Sequence, residues 1–161
     1  MPDKPNILVV GSINMDMVVR APHMPAPGET VLGKGFVTSP GGKGANQAVA
    51  AARRGGNCSM LARLGRDAFG ETLLEGMKAE GVDCENILLT ENFPTGVAMI
   101  IVDGNGENSI VVASGANYQL TPDDIFSREE LFERTEVVVL QLELPLPTVS
   151  AAIDLAHRNR C

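Results

Sequence analysis

The chain has no cluster of lysine and arginine anywhere in its 161 residues, and 13 basic residues against 20 acidic ones leave a formal net charge of −7. Nucleic acid and anionic membrane surfaces select for clustered cations, so neither is an expected partner. No apolar run approaches the ~20 residues that a membrane helix needs. The opening Met1-Pro2-Asp3-Lys4-Pro5 leads into a short run interrupted by Gly11, Asn14 and Asp16, which is unlike a signal peptide. Only three cysteines occur, Cys58, Cys84 and Cys161; an odd number at wide spacing matches neither a zinc site nor a disulfide framework. Reduced thiols in the cytoplasm are the simplest expectation. Two nucleotide signatures are also missing, the G-x-x-x-x-G-K-[ST] loop and the G-x-G-x-x-G fingerprint. A nucleotide stays possible, because backbone N–H groups bind phosphate on an acidic protein as well. There is no internal repeat and no low-complexity linker.

What is present begins with a hydrophobic fraction of 44%, enough for the core of one compact domain. The densest signal is Pro40-Gly41-Gly42-Lys43-Gly44-Ala45-Asn46-Gln47-Ala48, three glycines and two amides at the mouth of an Ala-rich helix. Glycine permits close approach of a ligand, and the first N–H groups of a helix lack intrahelical partners. The expected ligand is small and rich in oxygen.

The pattern along the chain alternates strands with helices. Residues 6–12 form a buried strand around Ile7-Leu8-Val9-Val10, residues 42–54 a helix ended by Gly55-Gly56, and residues 58–64 a second strand. Residues 67–80 follow as a helix with Phe69, Leu73, Leu74 and Met77 on one side, then residues 137–142 as a strand and 145–158 as a helix. This order predicts an α/β fold with a Rossmann-like, largely parallel sheet flanked by helices. Two segments depart from it, about residues 15–39 and 96–113. The second reads as a hairpin turning at Asp103-Gly104-Asn105-Gly106. Together they predict a small second sheet serving as a lid over a ligand crevice. After the last helix a doubly wound fold normally adds another strand. The chain therefore reads either as a truncated architecture or as one ending in a natural C-terminal helix, which Arg158 and Arg160 suit electrostatically.

Several polar residues are candidates for binding, each with a plainer alternative. Asn14 and Asp16 follow the first strand and project to one side, where carboxylate and amide suit a polyol; both are also ordinary turn formers. Asn46 lies one helical turn beyond Gly42, beside Lys43, and the same pattern fits a glycine-rich helix start with solvent-facing side chains. Glu143 ends the last strand in Gln141-Leu142-Glu143-Leu144-Pro145. It suits hydroxyl binding or a base, and equally an acid drawn to a helix N-terminus. Asp103, Asn105 and Glu107 mimic part of a calcium loop, but a hairpin turn explains them better. His23 and His157 belong to no metal or triad spacing.

The run from Gly41 to Ala48, continued by Gly55 and Gly65, resembles the N-terminal motif of the PfkB carbohydrate kinases. Gly11-Ser12-Ile13-Asn14-Met15-Asp16, Pro27-Gly28-Glu29-Thr30, Gly115-Ala116-Asn117 and the segment at Glu143 extend the similarity toward the ribose-phosphorylating members. The resemblance covers the chain but only the N-terminal half of such a kinase. It implies ATP-dependent phosphorylation of the D-ribose 5-hydroxyl in the complete enzyme, with Mg2+ and K+. By the same resemblance Asn14, Asp16, Gly42, Asn46 and Glu143 bind ribose hydroxyls within a site that includes Gly41, Lys43 lies near the transferred phosphoryl group, and Ala98 and Ile100 touch the sugar's apolar face. It also implies a homodimer paired through the lid. The family's second motif, D-T-x-G-A-G-D, which contains the catalytic base and anion hole, does not occur. The expectation is a chain with no catalytic residue or metal ligand of its own and no activity alone. Two other readings stand beside it: a sugar-binding or dimerising fragment without catalysis, and a kinase for deoxyribose or a nucleoside.

Overall fold

The apolar run Ile7-Leu8-Val9-Val10 becomes the central strand β1 (Asn6–Val10), whose side chains alternate between two cores. The structure, a computed structural model, describes residues 4–161. Chain order continues with β2 (Asn14–Arg20), β3 (Lys34–Gly41), α1 (Lys43–Arg53), β4 (Asn57–Gly65) and α2 (Ala68–Ala79). Then follow β5 (Ile87–Thr90), β6 (Gly96–Val102), β7 (Asn108–Ala113), a 3-10 turn at Gly115–Gln119, α3 (Pro122–Phe126), α4 (Glu129–Glu133), β8 (Val137–Leu140) and α5 (Leu146–Asn159).

The first sheet has the order β5-β4-β1-β8 and every pairing in it is parallel. Val9 faces α1 and α2 in a cluster with Met60, Ala62, Leu64, Leu73 and Met77. Leu8 and Val10 face the other way, packing with Leu61, Ile125, Phe132, Ala152 and Leu155. Helices thus cover both faces, which is why β1 has no polar side chain between Ile7 and Val10. The second sheet, β3-β2-β6-β7, is mixed: β2 pairs antiparallel with β3 and parallel with β6, and β6 and β7 form the hairpin.

Predicted and observed elements differ where pairing, which periodicity cannot see, sets the limit. The strands expected over 6–12 and 137–142 end at Val10 and Leu140, because Val10 and Leu140 are each other's last partner. Gly11 then approaches α1 so closely that a Cβ on it would lie 2.8 Å from the Gly44 Cα. Strand β5, α3 and α4 are absent from the sequence pattern; each has only four or five residues, too few to establish a period. The acidic cluster at 103–107 is a turn in which Asp103 Oδ1 accepts from the Asn105 and Glu107 N–H groups at 2.8 and 3.0 Å. Among the described residues no group of three or more His, Cys, Asp or Glu is placed to hold a metal, and no helix is long and apolar enough to cross a membrane.

Candidate functional site

The two sheets meet where β1 leads into β2 and where β3 leads into α1. Glycines make that meeting possible. Gly42 has φ 91°, and a Cβ there would lie 2.8 Å from the Asn14 nitrogen; one on Gly44 would lie 2.6 Å from the Ser12 nitrogen, and one on Gly41 would collide with the Asp16 carboxylate. Backbone on backbone at such range admits no side chain.

The first N–H groups of α1, expected to be free for a ligand, are already taken. Lys43 N donates to Glu143 Oε2 at 3.3 Å, Gly44 N to Ser12 Oγ at 3.4 Å, and Ala45 N to the Ser12 carbonyl at 2.9 Å. Gly42, the residue before the helix, has no side chain to cap it, so Ser12 and Glu143 serve from distant segments. Ser12 Oγ also donates to Glu143 Oε2 at 2.7 Å, and Lys43 Nζ to Glu143 Oε1 at 2.7 Å. Burial alone would raise the Glu143 pKa; the hydrogen bonds from Lys43 and Ser12 outweigh it and hold the carboxyl below its ordinary value. The helix-cap alternative for Glu143 and its place beside the cleft are therefore both realised, and Lys43 is turned onto this carboxylate.

On β2, Asn14 and Asp16 project to one side, as alternation requires. Asn14 is buried, and its Oδ1 accepts from Asn117 Nδ2 at 2.8 Å. Asn117, itself buried after β7, grips the neighbouring backbone through Ile13 N to Oδ1 at 2.9 Å and Nδ2 to the Ile13 carbonyl at 3.1 Å. Asp16 is different. Its carboxylate has no hydrogen bond among the described residues, and burial first, then the charge of Glu143, raises its pKa. It is an acceptor waiting for donors.

Asn14, Asp16, Gly42, Lys43, Asn46 and Glu143 line a cleft of about 390 Å³ together with Ala98, Ile100, Ile110 and Val112. Register places these apolar residues on the Asp16 face of the second sheet: Asp16 lies beside Ala98, Ala98 beside Val112, and Ile100 beside Ile110. The cleft thus sets amides and carboxylates beside methyl groups, which suits a molecule that carries both hydroxyls and C–H bonds. Of the residues expected here, only Gly41 lies off the cleft. It lines a separate hollow between α1 and α2, which Asn46 also borders. Four contributors lacked an assigned role: Ser12, Asn117, Ile110 and Val112. Ile110 and Val112 alternate on a readable hairpin, whereas Ser12 and Asn117 act through contacts that no spacing displays.

Comparison with known proteins places this arrangement in a family. Residues 4–161 match the pfkB family carbohydrate kinase description, and the chain belongs to that family. It is similar to the ribokinase of Schizosaccharomyces pombe, 44% identical over 160 residues that make up 96% of this chain and 50% of that protein. The ribokinase of Bacillus subtilis is 43% identical over 96% of this chain and 52% of its own length. Among solved structures, Arabidopsis thaliana ribokinase complexed with ribose and ATP superimposes with a TM-score of 0.85 at 32% identity, over 98% of this chain and 52% of that one. The chain spans about half the length of the curated relatives it matches.

Proposed function

We propose that this chain is the sugar-binding half of an ATP-dependent ribokinase, which in its complete form converts D-ribose to D-ribose 5-phosphate. The observation that carries the proposal is the cleft that joins amides and carboxylates with methyl groups, in a chain whose relatives include a ribokinase complexed with ribose and ATP. Asp16, unpaired and partly desolvated, accepts from sugar hydroxyls. Asn14, Asn46, Gly42 and Glu143 complete the polar lining, Gly41 lets β3 pass close to Asp16, and Ala98 and Ile100 cover the sugar's apolar face. The second sheet acts as a lid, with about residues 15–39 and 96–113 forming the segment that excludes water around the reacting hydroxyl. Lys43 stands at the cleft edge nearest the incoming phosphoryl group, in exchange with its ion pair to Glu143.

ATP supplies the phosphoryl group when bound, with Mg2+ and K+ balancing its charge. The described residues do not fit those groups: α1 has its first N–H groups occupied by Ser12 and Glu143, and no acidic cluster is placed for a cation. No step of transfer is assigned to them, and the chain alone is expected to bind sugar without phosphorylating it. We place the protein in the cytoplasm, in keeping with three unpaired cysteines. We assign pairing of two copies to the second sheet, whose far face exposes Phe36, Met99 and Val111.

Titration calorimetry of the 161-residue chain with D-ribose tests the proposal. Saturable heat that Asp16→Ala removes is the expected result, and no heat from the unsubstituted chain would end it. Running 2-deoxyribose in parallel separates the pentoses, because a site built to bond a hydroxyl penalises its loss. A second reading, a binding or pairing module that never acts in catalysis, is favoured by the first N–H groups of α1 being occupied by Ser12 and Glu143. Restoration of kinase activity when the chain is combined with the second half of a ribokinase would rule it out.

A further inference from the structure

We infer that Asn117 is a positioning residue for the sugar site, one that makes Asn14 an obligate hydrogen-bond donor to the ligand; the inference rests on the sugar-site reading above. The Ile13 N–H and carbonyl have fixed polarity and so fix the orientation of the amides they meet. The atom of the Asn117 amide that lies 2.9 Å from the Ile13 N–H must be oxygen, since only an acceptor sits there. Its other end is then the NH2 group, which donates to the Ile13 carbonyl at 3.1 Å and meets the Asn14 side chain at 2.8 Å. The Asn14 atom facing a donor must in turn be its oxygen. That leaves Asn14 Nδ2 with no partner among the described residues, on a side chain only 4% exposed that lines the cleft.

Nδ2 keeps accessible surface on the cleft, where water partners it in the free chain. A ligand that displaces this water must offer the NH2 a lone pair, so the sugar group beside Asn14 must accept: a hydroxyl or ring oxygen fits, and an ammonium group does not. Asp16 two residues along β2 is an acceptor only. The two side chains therefore impose opposite polarity on neighbouring positions of the ligand, which distinguishes a hydroxyl array from a row of like donors. The surroundings are built for this lock. A Cβ on Gly96 would collide with both Asn117 Nδ2 and Asn14 Oδ1, so only glycine there leaves room for the pair. Gly115, at φ 50°, turns the chain after β7, and Ala116 N donates to the Pro94 carbonyl at 2.8 Å. Those contacts carry Asn117 to the β1–β2 junction from the end of the second sheet.

A double-mutant cycle on the 161-residue chain tests this. Asn14→Ala and Asn117→Ala are each expected to weaken ribose binding by about tenfold, one neutral hydrogen bond's worth. The double variant should be no weaker than either, because Asn117 acts through Asn14. A merely structural Asn117 would give additive losses, and additivity overturns the inference. Asn117→Asp keeps the acceptor for Ile13 N–H while removing the donor to Asn14. It is expected to fold and still lose ribose affinity, which covers the case where Asn117→Ala fails to fold; unchanged affinity would overturn the inference. Amide hydrogen exchange gives an arm free of ligand: Ile13 should exchange at least about tenfold faster in Asn117→Ala than in the parent chain. If the parent chain binds no ribose, the sugar-site reading falls, and unchanged Ile13 exchange would separately dispose of the anchor.

Discussion

Asp16 combines two demands that oppose each other. It is partly buried and faces Glu143, so its carboxyl is harder to ionise than an ordinary aspartate, yet the sugar binding proposed for it calls for the ionised form. For a folded-state pKa raised above the unfolded value, the folded chain holds its proton more strongly. The associated stability is present below the ordinary value of 3.8 and is lost as pH rises through the raised one. At neutral pH the ionised Asp16 therefore destabilises the fold. Asp16→Asn is expected to melt at a higher temperature than the parent at pH 7, with the gap closing below about pH 3.8. It should also bind ribose on the order of 100-fold more weakly, through loss of charged hydrogen bonds. Equal melting temperatures at pH 7 would remove the strain argument, and equal affinity would remove Asp16 from the site. Ribose binding by the parent chain should weaken as pH falls through the raised pKa, measured by titration at stepped pH. The residue types at 14 and 16 were legible in the sequence, as was their common side. The charge environment was not, since Glu143 lies more than a hundred residues away.

Among the elements, α1 depends most on its neighbours. A helix starting Gly-Lys-Gly has no cap of its own, and its first turn is held by Ser12 and Glu143 while Gly44 rests against the Ser12 backbone. Gly44→Ala improves intrinsic helix propensity by about 0.8–1.0 kcal/mol. It also inserts a methyl group 2.6 Å from the Ser12 nitrogen, where backbone must shift. Overpacking of this kind costs about 1–3 kcal/mol and outweighs the propensity gain. A lowered urea midpoint for Gly44→Ala is expected, and a raised one would mean that the close approach is not needed. The helix itself was plain from its alanines and the following Gly55-Gly56. Its occupied N-terminus was not, because capping by another segment leaves no mark at the cap position. Short β5, α3 and α4 escaped for a different reason: four or five residues establish no period, even though Thr121 and Asp124 cap α3 locally.

Considered as one body, the chain exposes two sets of apolar residues. The edge strand β8 carries exposed Val137, the segment after it and α5 expose Leu142, Leu146 and Ile153, and the far face of the second sheet carries Phe36, Met99 and Val111. An unpaired parallel strand beside apolar side chains recruits further chain. The 161-residue chain is expected to associate in solution, read by light scattering across a dilution series. Val137→Lys should reduce association through the strand edge, and Val111→Lys association through the second sheet, so the two variants apportion it between the surfaces. A monomer at every concentration would contradict the prediction.

Periodicity, glycine spacing and turn chemistry act over a few residues, so they alone gave the α/β alternation, the hairpin and the long helices, while Asn14, Asp16, Asn46 and Glu143 stood as candidates that only the family resemblance joined into one proposed site. Three properties required distant segments to meet. Glu143 reaches Lys43 across 100 residues, Ser12 reaches Glu143 across 131, and Asn117 reaches Ile13 across 104. Those contacts close the helix N-terminus that looked open, pull down the Glu143 pKa and orient the Asn14 amide. Such outcomes depend on which groups fill a hydrogen-bond valence or a low-dielectric space first, and that competition exists only once the chain has folded.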